Sequence, residues 1–380
     1  MSPRPADGIS LDDLTGLFLD LVRIPSPSGS ERAIVDFVAD MARGFGFEVR
    51  EDDTSAQTGA GAGNLLVRVP GAGEGLPILL CAHLDTVAVQ GEVVPVVEAG
   101  VVRSDGRTIL GADNKAAAAA MLGMLPGMTS RPPAGTVEML FTVCEEVSLR
   151  GSLAFDTAAL TAKAGFVIDS SGPVGQVIVR GPSHKRIEAT FRGAAAHAGI
   201  EPERGRSAIV AAARAVAAMR LGRLDETTTA NIGTIAGGVA SNIVPGECCL
   251  LGEVRAHEPQ RLGEEVGHMV ECISLAAAEV GTDVETAVTE QYASFSLPRT
   301  SPPARIAATA LRSIGVEPRF MATGGGSDAN ALNQAGLPTV NMSSGYERPH
   351  SPEEHMPLGA LLQVGELVRA LVSCAAWERE

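Results

Sequence analysis

The chain of 380 residues carries 30 basic and 45 acidic side chains, a formal net charge of −15, which argues against nucleic acids and anionic membranes as partners, since both require a basic face. Hydrophobic residues make up 45% and charged ones 20%, an ordinary globular profile, while aromatics at 3% leave little surface for stacking nucleobases. At this length two domains are expected, because single cores stop growing at roughly 250–300 residues.

Met1 to Asp20 is mixed and acidic, without the basic and then apolar stretches of a signal peptide, and no window approaches the roughly 20 uninterrupted apolar residues of a membrane span. Two amphipathic helices are predicted at Leu11 to Arg23 and Ser30 to Phe45, the second capped by Ser28 or Ser30. Strand-like runs follow at Asn64 to Val69, Pro77 to Ala82 and Thr108 to Gly111, the last leading into an Ala-rich helix from about Asn114 to Leu125. Apolar runs at Val137 to Cys144 and Ala164 to Ile168 complete a βα alternation, the pattern of a mostly parallel sheet with helices on both faces.

The character changes near Gly181. From His184 to about Gln291 the order is strand, helix (Arg206 to Arg220), strand, strand (Glu247 to Ala256), helix (Gln260 to Val280), strand, a βαββαβ sandwich on an antiparallel sheet. A helix (Pro303 to Ile314), a Gly-rich loop, a short strand (Thr339 to Met342) and a closing helix (Leu358 to Ala376) resume the first pattern. The expected architecture is α/β: a discontinuous main domain, 1–180 with 296–380, and an inserted α+β domain, 181–295. The six cysteines, at 81, 144, 248, 249, 272 and 374, have no C-x-x-C spacing and several lie in apolar runs. They read as buried free thiols of a reducing compartment, with the cytoplasm as the expected location.

The polar residues gather where the strands stop. Ile78-Leu79-Leu80-Cys81-Ala82 ends in His83-Leu84-Asp85, Val137 to Cys144 ends in Glu145-Glu146, and Phe166-Val167-Ile168 ends in Asp169. In an open parallel sheet these C-terminal ends share one crevice. Asp113 joins them from the start of the Ala-rich helix. Five carboxylates and an imidazole in one cleft repel and raise one another's pKa values unless cations neutralise them, and two divalent ions would do so. His83 and Asp85, two apart on a strand, are expected to face the same way, so that the Asp85 carboxylate orients the imidazole. Adjacent Glu145 and Glu146 point apart, one to hold a metal and one to take a proton from water, the division that metal-assisted hydrolysis needs.

At this point the sequence resembles the M20 family of metallopeptidases, and within it the peptidase T-like, tripeptide aminopeptidase branch. The matching stretches are CAHLDTV (81–87), GRTILGADNKAAAAAML (106–122), TVCEEVSLRGS (142–152), GFVIDSSG (165–172), RGAAAHAG (192–199), GGVASNIVPGEC (237–248), EVRAHE (253–258), GGGSDANAL (324–332) and GYERPHSPEEH (345–355). They run in family order over most of the chain. The resemblance implies that His83 and Asp169 bind one metal, Glu146 and His350 the other, and that Asp113 bridges both. Asp85 orients His83, and Glu145 is general base and acid for a water shared by the metals. His350 matches the pattern better than His355, which lies in the same loop. Zinc suits these ligands, with cobalt or manganese as substitutes. Asn114 departs from the Asp that often follows the bridging residue, a position that is not a ligand. Asp169 matches the family's aminopeptidases, where its carboxypeptidases and deacylases tend to carry Glu.

The resemblance also implies that the inserted domain acts as a lid or dimerisation domain, with His197 stabilising the developing oxyanion, often across a dimer interface, and Arg255 and Asn242 gripping the substrate's carboxylate and backbone. Gly325 and Ser327, in the Gly-rich turn before a short helix, are expected to contact the substrate main chain; no Lys follows in P-loop spacing, which disfavours a phosphate. His184, His257 and His268 match no site motif and read as surface or structural residues. The expected activity is aminopeptidase action on di- and tripeptides. Alternatives are a deacylase or carboxypeptidase acting on N-acyl amino acids, and a non-catalytic metal- or peptide-binding protein of the same fold, which would have no use for Glu145. A serine hydrolase is disfavoured by the lack of a G-x-S-x-G elbow.

Overall fold

The structure is a computed structural model that describes residues 10–88 and 91–377. The chain forms two compact units. One takes the chain up to Val179 with Ser296–Ala322 and Ser327 onward; the other is Arg180–Phe295 with Thr323–Gly326.

Among the described residues the first unit is built on a nine-stranded sheet. Its spatial order is Glu48–Glu51, Leu65–Val69, Val137–Thr142, Ile78–His83, Ala164–Ser170, Thr339–Ser343, Gln176–Gly181 and Phe295–Ser296, with Arg319–Ala322 also paired to Gln176–Gly181. The four central strands, from Val137–Thr142 to Thr339–Ser343, run parallel, and antiparallel strands flank them. Every residue of Ile78–His83 and of Val137–Thr142 is buried, as expected for strands covered on both faces. Glu138 is tolerated in the middle of this apolar run because Arg68 Nε and Nη2 donate to its Oε1 at 3.1 and 3.0 Å and the N–H groups of Thr161 and Ala162 donate to its Oε2 at 2.9 Å.

The Ala-rich helix, Ala112–Leu122, lies against the Ile78–His83 strand and also meets the Leu11–Arg23 and Leu358–Ala375 helices, so all of its residues are buried. Only small side chains allow a helix to be enclosed so closely, and alanine forms helix readily while meeting that need. The Leu358–Ala375 helix has the length and hydropathy of a membrane span, but Leu361, Val364, Leu367, Val368 and Leu371 are buried in the unit's core. It is a core helix.

Several sequence expectations are corrected. Thr108–Gly111 is a loop: among the described residues no strand pairs with it, and the N–H groups of Leu110 and Gly111 are taken by the Glu354 side chain. The second helix spans Arg32–Gly44 and is capped by neither Ser28 nor Ser30: its N-cap is Glu31, with no side-chain cap hydrogen bond, and the Ser28 hydroxyl donates to Asp85. A small antiparallel sheet of Pro95–Glu98, Val101–Ser104 and His355–Pro357 was not anticipated. All six cysteines are free, but Cys249 is exposed and Cys374 half-buried, on the outer sides of a strand and of the last helix.

The second unit is a five-stranded antiparallel sheet in the order Gly222–Arg223, Thr228–Gly237, Glu247–Ala256, Ser183–Arg192, Asp283–Tyr292. The Ala208–Ala218 and Pro259–Val280 helices pack on it around a separate core that includes Phe191, Val254, Met269 and Ile273. Thr323–Gly326 joins this unit, because Thr323 N donates to Arg180 O at 3.0 Å and His257 Nε2 lies 2.7 Å from Thr323 O. Gly326 rests on the Tyr292 ring so closely that an added Cβ would stand 2.3 Å from its Cζ, so only glycine fits. His184 and His257 are buried structural residues, and His268 is half-buried beside Cys272.

Candidate metal centre

Parallel central strands place their C-terminal ends along one edge. Ile78–His83 delivers His83 as its last residue, and Ala164–Ser170 carries Asp169 as its penultimate one. Val137–Thr142 stops before the glutamates, which lie in a turn closed by Leu149 N donating to Glu145 O at 2.8 Å. Glu145 and Glu146 are therefore separated by turn geometry and not by strand alternation. Asp113 enters at the irregular start of the Ala112–Leu122 segment, after Gly111 at φ +77°, where Asp113 and Asn114 stand outside helical geometry.

The contacts form a chain. His83 Nε2 is 3.2 Å from Asp113 Oδ1 and 3.3 Å from Asp169 Oδ1. His350 Nε2 is 3.2 Å from Asp113 Oδ2 and 3.0 Å from Glu146 Oε1. Asp113 thus turns one oxygen to each histidine, and each histidine has a further carboxylate of its own. His355 is elsewhere: it pairs with Arg103 in the small sheet, and its Nε2 lies 3.5 Å from Glu347 Oε2. The loop holding His350 and the turn holding the two glutamates are both strained. Of the six non-glycine residues with left-handed backbone among the described residues, Cys144, Ser148, Leu149, Arg348 and His350 lie in these two segments. Such conformations persist where surrounding structure over-determines them, commonly at functional sites.

Charge explains why the arrangement invites cations. Burial pushes the Asp169 carboxyl up to about 8, against the opposing pull of His83. Burial and the negative charge of Asp169 hold Glu145 well above the usual carboxylate range. Burial would also raise Asp113, but its hydrogen bonds with His350 and His83 more than offset this and keep it below the ordinary value. Close contact with the carboxylates of Asp113 and Glu146 pushes His350 up to about 10. Burial alone would depress His83; the charge of Asp169 and the contacts with Asp113 and Asp169 carry it well above its usual value. Negative charges buried this close together favour bound protons unless cations neutralise them.

Divalent metal fits this donor set. Ligand atoms about 2.0 Å from a zinc ion stand about 3.3 Å apart at tetrahedral corners, close to the separations seen here. The ligand atoms of His83, Asp113 and Glu146 all lie within 4.8 Å of one another. Glu146 Oε1 is buried and, although 3.0 Å from His350 Nε2, is outside hydrogen-bond geometry and has no hydrogen-bond partner. A buried carboxylate oxygen left in this state is costly unless something else coordinates it.

Asp85 differs from expectation. The strand ends at His83, so the alternation that would align the two side chains does not extend to Asp85. His83 Nδ1 meets the main-chain O of Asp85 at 2.8 Å, with the carboxylate further away at 3.7 Å. The carboxylate instead accepts the N–H groups of Glu145 and Glu146 at 3.0 and 3.2 Å and the Ser28 hydroxyl at 2.6 Å. Burial pushes Asp85 up to about 6, with the charge of His83 and these hydrogen bonds opposing. Asp85 therefore shapes the turn that presents both glutamates.

Other contacts were not read from sequence. Tyr346, almost fully buried, donates its hydroxyl to Asp169 O at 2.9 Å, and Asn341 Oδ1 accepts Asp169 N at 3.1 Å. Glu354 accepts three main-chain N–H groups from Leu110, Gly111 and Asp113. Tyr346 and Glu354 lie in the same motif as His350, but nothing in residue type alone separates buried Glu354 from exposed Glu353. Ser327 is 3% exposed and its side chain takes part in a reciprocal capping box with Asn330 at the start of the Asp328–Gln334 helix.

In the second unit, His197 and Asn242 lie on neighbouring exposed loops, joined where Ala198 N donates to Asn242 O at 2.9 Å. Arg255 grips Glu253 with two parallel bonds of 3.0 and 3.1 Å and donates to the Tyr292 hydroxyl at 3.2 Å. Gly325, in the same unit, donates its N–H to Thr323 Oγ1 at 3.1 Å.

The sequence profile of peptidase family M20/M25/M40 matches residues 79–373. The uncharacterized protein YqjE of Bacillus subtilis strain 168 is 40% identical over 360 residues, 94% of this chain and 97% of that protein. Two crystal structures share the fold along nearly the whole chain. A tripeptidase of Staphylococcus aureus is 36% identical with a TM-score of 0.92, covering 97% of this chain and 100% of that one. The aminopeptidase PepT of Bacillus cereus is 38% identical with a TM-score of 0.86, covering 97% and 99%.

Proposed function

This chain belongs to peptidase family M20/M25/M40, and we propose that within it the protein is a two-metal aminopeptidase of di- and tripeptides. The observation that carries the reading is the Asp113 carboxylate, one oxygen 3.2 Å from His83 Nε2 and the other 3.2 Å from His350 Nε2. His83 and Asp169 would hold one ion, Glu146 and His350 the second, and Asp113 both. Imidazole and carboxylate donors suit zinc, with cobalt or manganese as substitutes.

When bound, such ions supply Lewis acidity towards the scissile carbonyl and make water acidic enough to lose a proton near neutral pH. Glu145 is the base: its carboxylate takes that proton as the C–O bond forms and returns it to the departing amine nitrogen as the C–N bond breaks. Asp85 holds the Glu145 and Glu146 main-chain N–H groups and so sets where both carboxylates point. His197 is assigned to the developing oxyanion. Arg255, Asn242 and Gly325 are assigned to the substrate's carboxylate and main chain. We place a homodimer contact on the second unit, where Ile200 and Val239 are 74% and 87% exposed near His197 and Asn242. The four buried free cysteines fit a reducing, cytoplasmic setting.

The aminopeptidase assignment is supported by Asp169 in place of Glu and by the two crystal structures, described as an aminopeptidase and a tripeptidase. A panel of free tripeptides and N-acetyl amino acids, assayed on zinc-loaded protein with chelator controls, tests it. Turnover of free tripeptides is the expected result; turnover of acylated substrates alone would make the protein a deacylase or carboxypeptidase.

Metal binding is expected to release protons. His350, held near 10 without metal, must lose its proton to ligate, so protons compete with the ion and affinity falls as pH falls. Calorimetric titration with zinc at pH 6 and pH 8, in buffers of different ionisation enthalpy, should show roughly one or more protons released per chain and tighter binding at pH 8. Equal affinity at both pH values with no proton release would contradict the ligand assignment.

A further inference from the structure

Glu354 is fully buried, and its carboxylate holds the backbone that leads to the cluster. Its Oε2 accepts the N–H groups of Leu110 and Gly111, both at 2.8 Å, and its Oε1 accepts that of Asp113 at 2.9 Å. Its own N–H donates to Ser351 O at 3.0 Å, in the loop that carries His350. One side chain therefore joins two segments 241 residues apart in sequence, one carrying the shared carboxylate and the other a histidine that faces it. Among the described residues no strand pairs with the loop it organises, so these charge-assisted bonds take the place of sheet pairing.

We propose that Glu354 is a positioning residue that ties the Asp113 loop to the His350 loop and thereby sets the affinity of the site for its second metal ion. The proposal rests on the two-metal reading above. The two ions should not depend on it equally. His83 and Asp169 stand on strands of the central sheet and keep their places without Glu354. Asp113 and His350 both stand on irregular backbone, and the geometry between them depends on what fastens one loop to the other. Glutamine at 354 has the same shape but only one acceptor oxygen, so its amide N–H₂ would face a main-chain donor and at least one bond would be lost. Loosening the support of a metal ligand typically weakens metal binding about 10–100-fold.

Zinc titration of metal-depleted full-length protein, read as ions bound per chain by elemental analysis and as affinity by a competing chelator dye, tests this. Wild type and Glu353→Gln, whose exposed side chain pairs with Arg348, should take up two ions alike. Glu354→Gln should bind the first ion with near wild-type affinity and the second about 10–100-fold more weakly. Glu354→Asp, which keeps both acceptor oxygens, should recover part of the loss; if the glutamine variant does not fold, this variant's weakened second site carries the test. Thermal unfolding of the metal-free proteins separates positioning from support of the fold. A Glu354 variant that is destabilised without metal, yet binds both ions as tightly as wild type once folded, would overturn the proposal. A wild type that binds fewer than two ions would overturn the two-metal reading itself.

Discussion

Replacing Glu145 with glutamine is expected to lower kcat about 10²–10⁴-fold while both metal ions stay bound and KM changes little. Glutamine matches the glutamate in size and can still accept hydrogen bonds, but it cannot take up a proton. What it removes is the transfer from the attacking water and the return of that proton to the leaving amine. A loss of 10³-fold corresponds to about 4 kcal/mol of the activation barrier. The charge relations of the site make Glu145 suited to the task. Buried beside Asp169, it is held well above the usual carboxylate range without cations, so neutralising its neighbours governs when it becomes available as a base. Steady-state kinetics with metal content measured on the same preparation checks the expectation. Retained hydrolysis in a fully metal-loaded Glu145→Gln variant would remove Glu145 from the chemistry.

Asp113→Ala should have the larger effect, because it removes a partner from both histidines at once. Each of its oxygens is 3.2 Å from an imidazole nitrogen, and no other carboxylate among the described residues has a contact of that length to both His83 and His350. The variant should lose both ions under dialysis that leaves wild type with two, and activity should fall to background. That exceeds the about 10–100-fold cost of losing an outer hydrogen-bonding partner. Truncating Asp113 leaves His83 and His350 each with one remaining carboxylate, too few donors to complete either site. A variant that keeps one ion at wild-type affinity would show that Asp113 belongs to a single metal.

Much of this geometry was legible in the sequence because it follows from strand ends. An apolar run that stops at His83, and another that stops at Asp169, say where those residues lie once the sheet is parallel, and it is. Choosing His350 over His355 needed the surrounding motif, since both are histidines of one loop. The structure turns His350 to Asp113 and sends His355 into the small sheet. The reasoning failed where it carried strand periodicity past a strand's last residue. Asp85 was expected to face His83 with its carboxylate and instead holds the Glu145–Glu146 turn. Thr108–Gly111 resembles a strand in composition, but a strand needs a neighbour, and the partner for its N–H groups is a glutamate more than 240 residues away. The contacts of Ser28, Tyr346 and Glu354 were missed for the same reason: they arise from burial and long-range contact, which residue type does not report.

The central claim is that Asp113 sits between two metal ions. Anomalous diffraction at the zinc edge from crystals grown with the metal tests it directly. Two peaks are expected roughly 3.5–4 Å apart, one beside His83 and Asp169, the other beside Glu146 and His350, with an Asp113 oxygen on each. A single peak that Asp113 does not touch, or metal bound only elsewhere on the chain, would contradict the account.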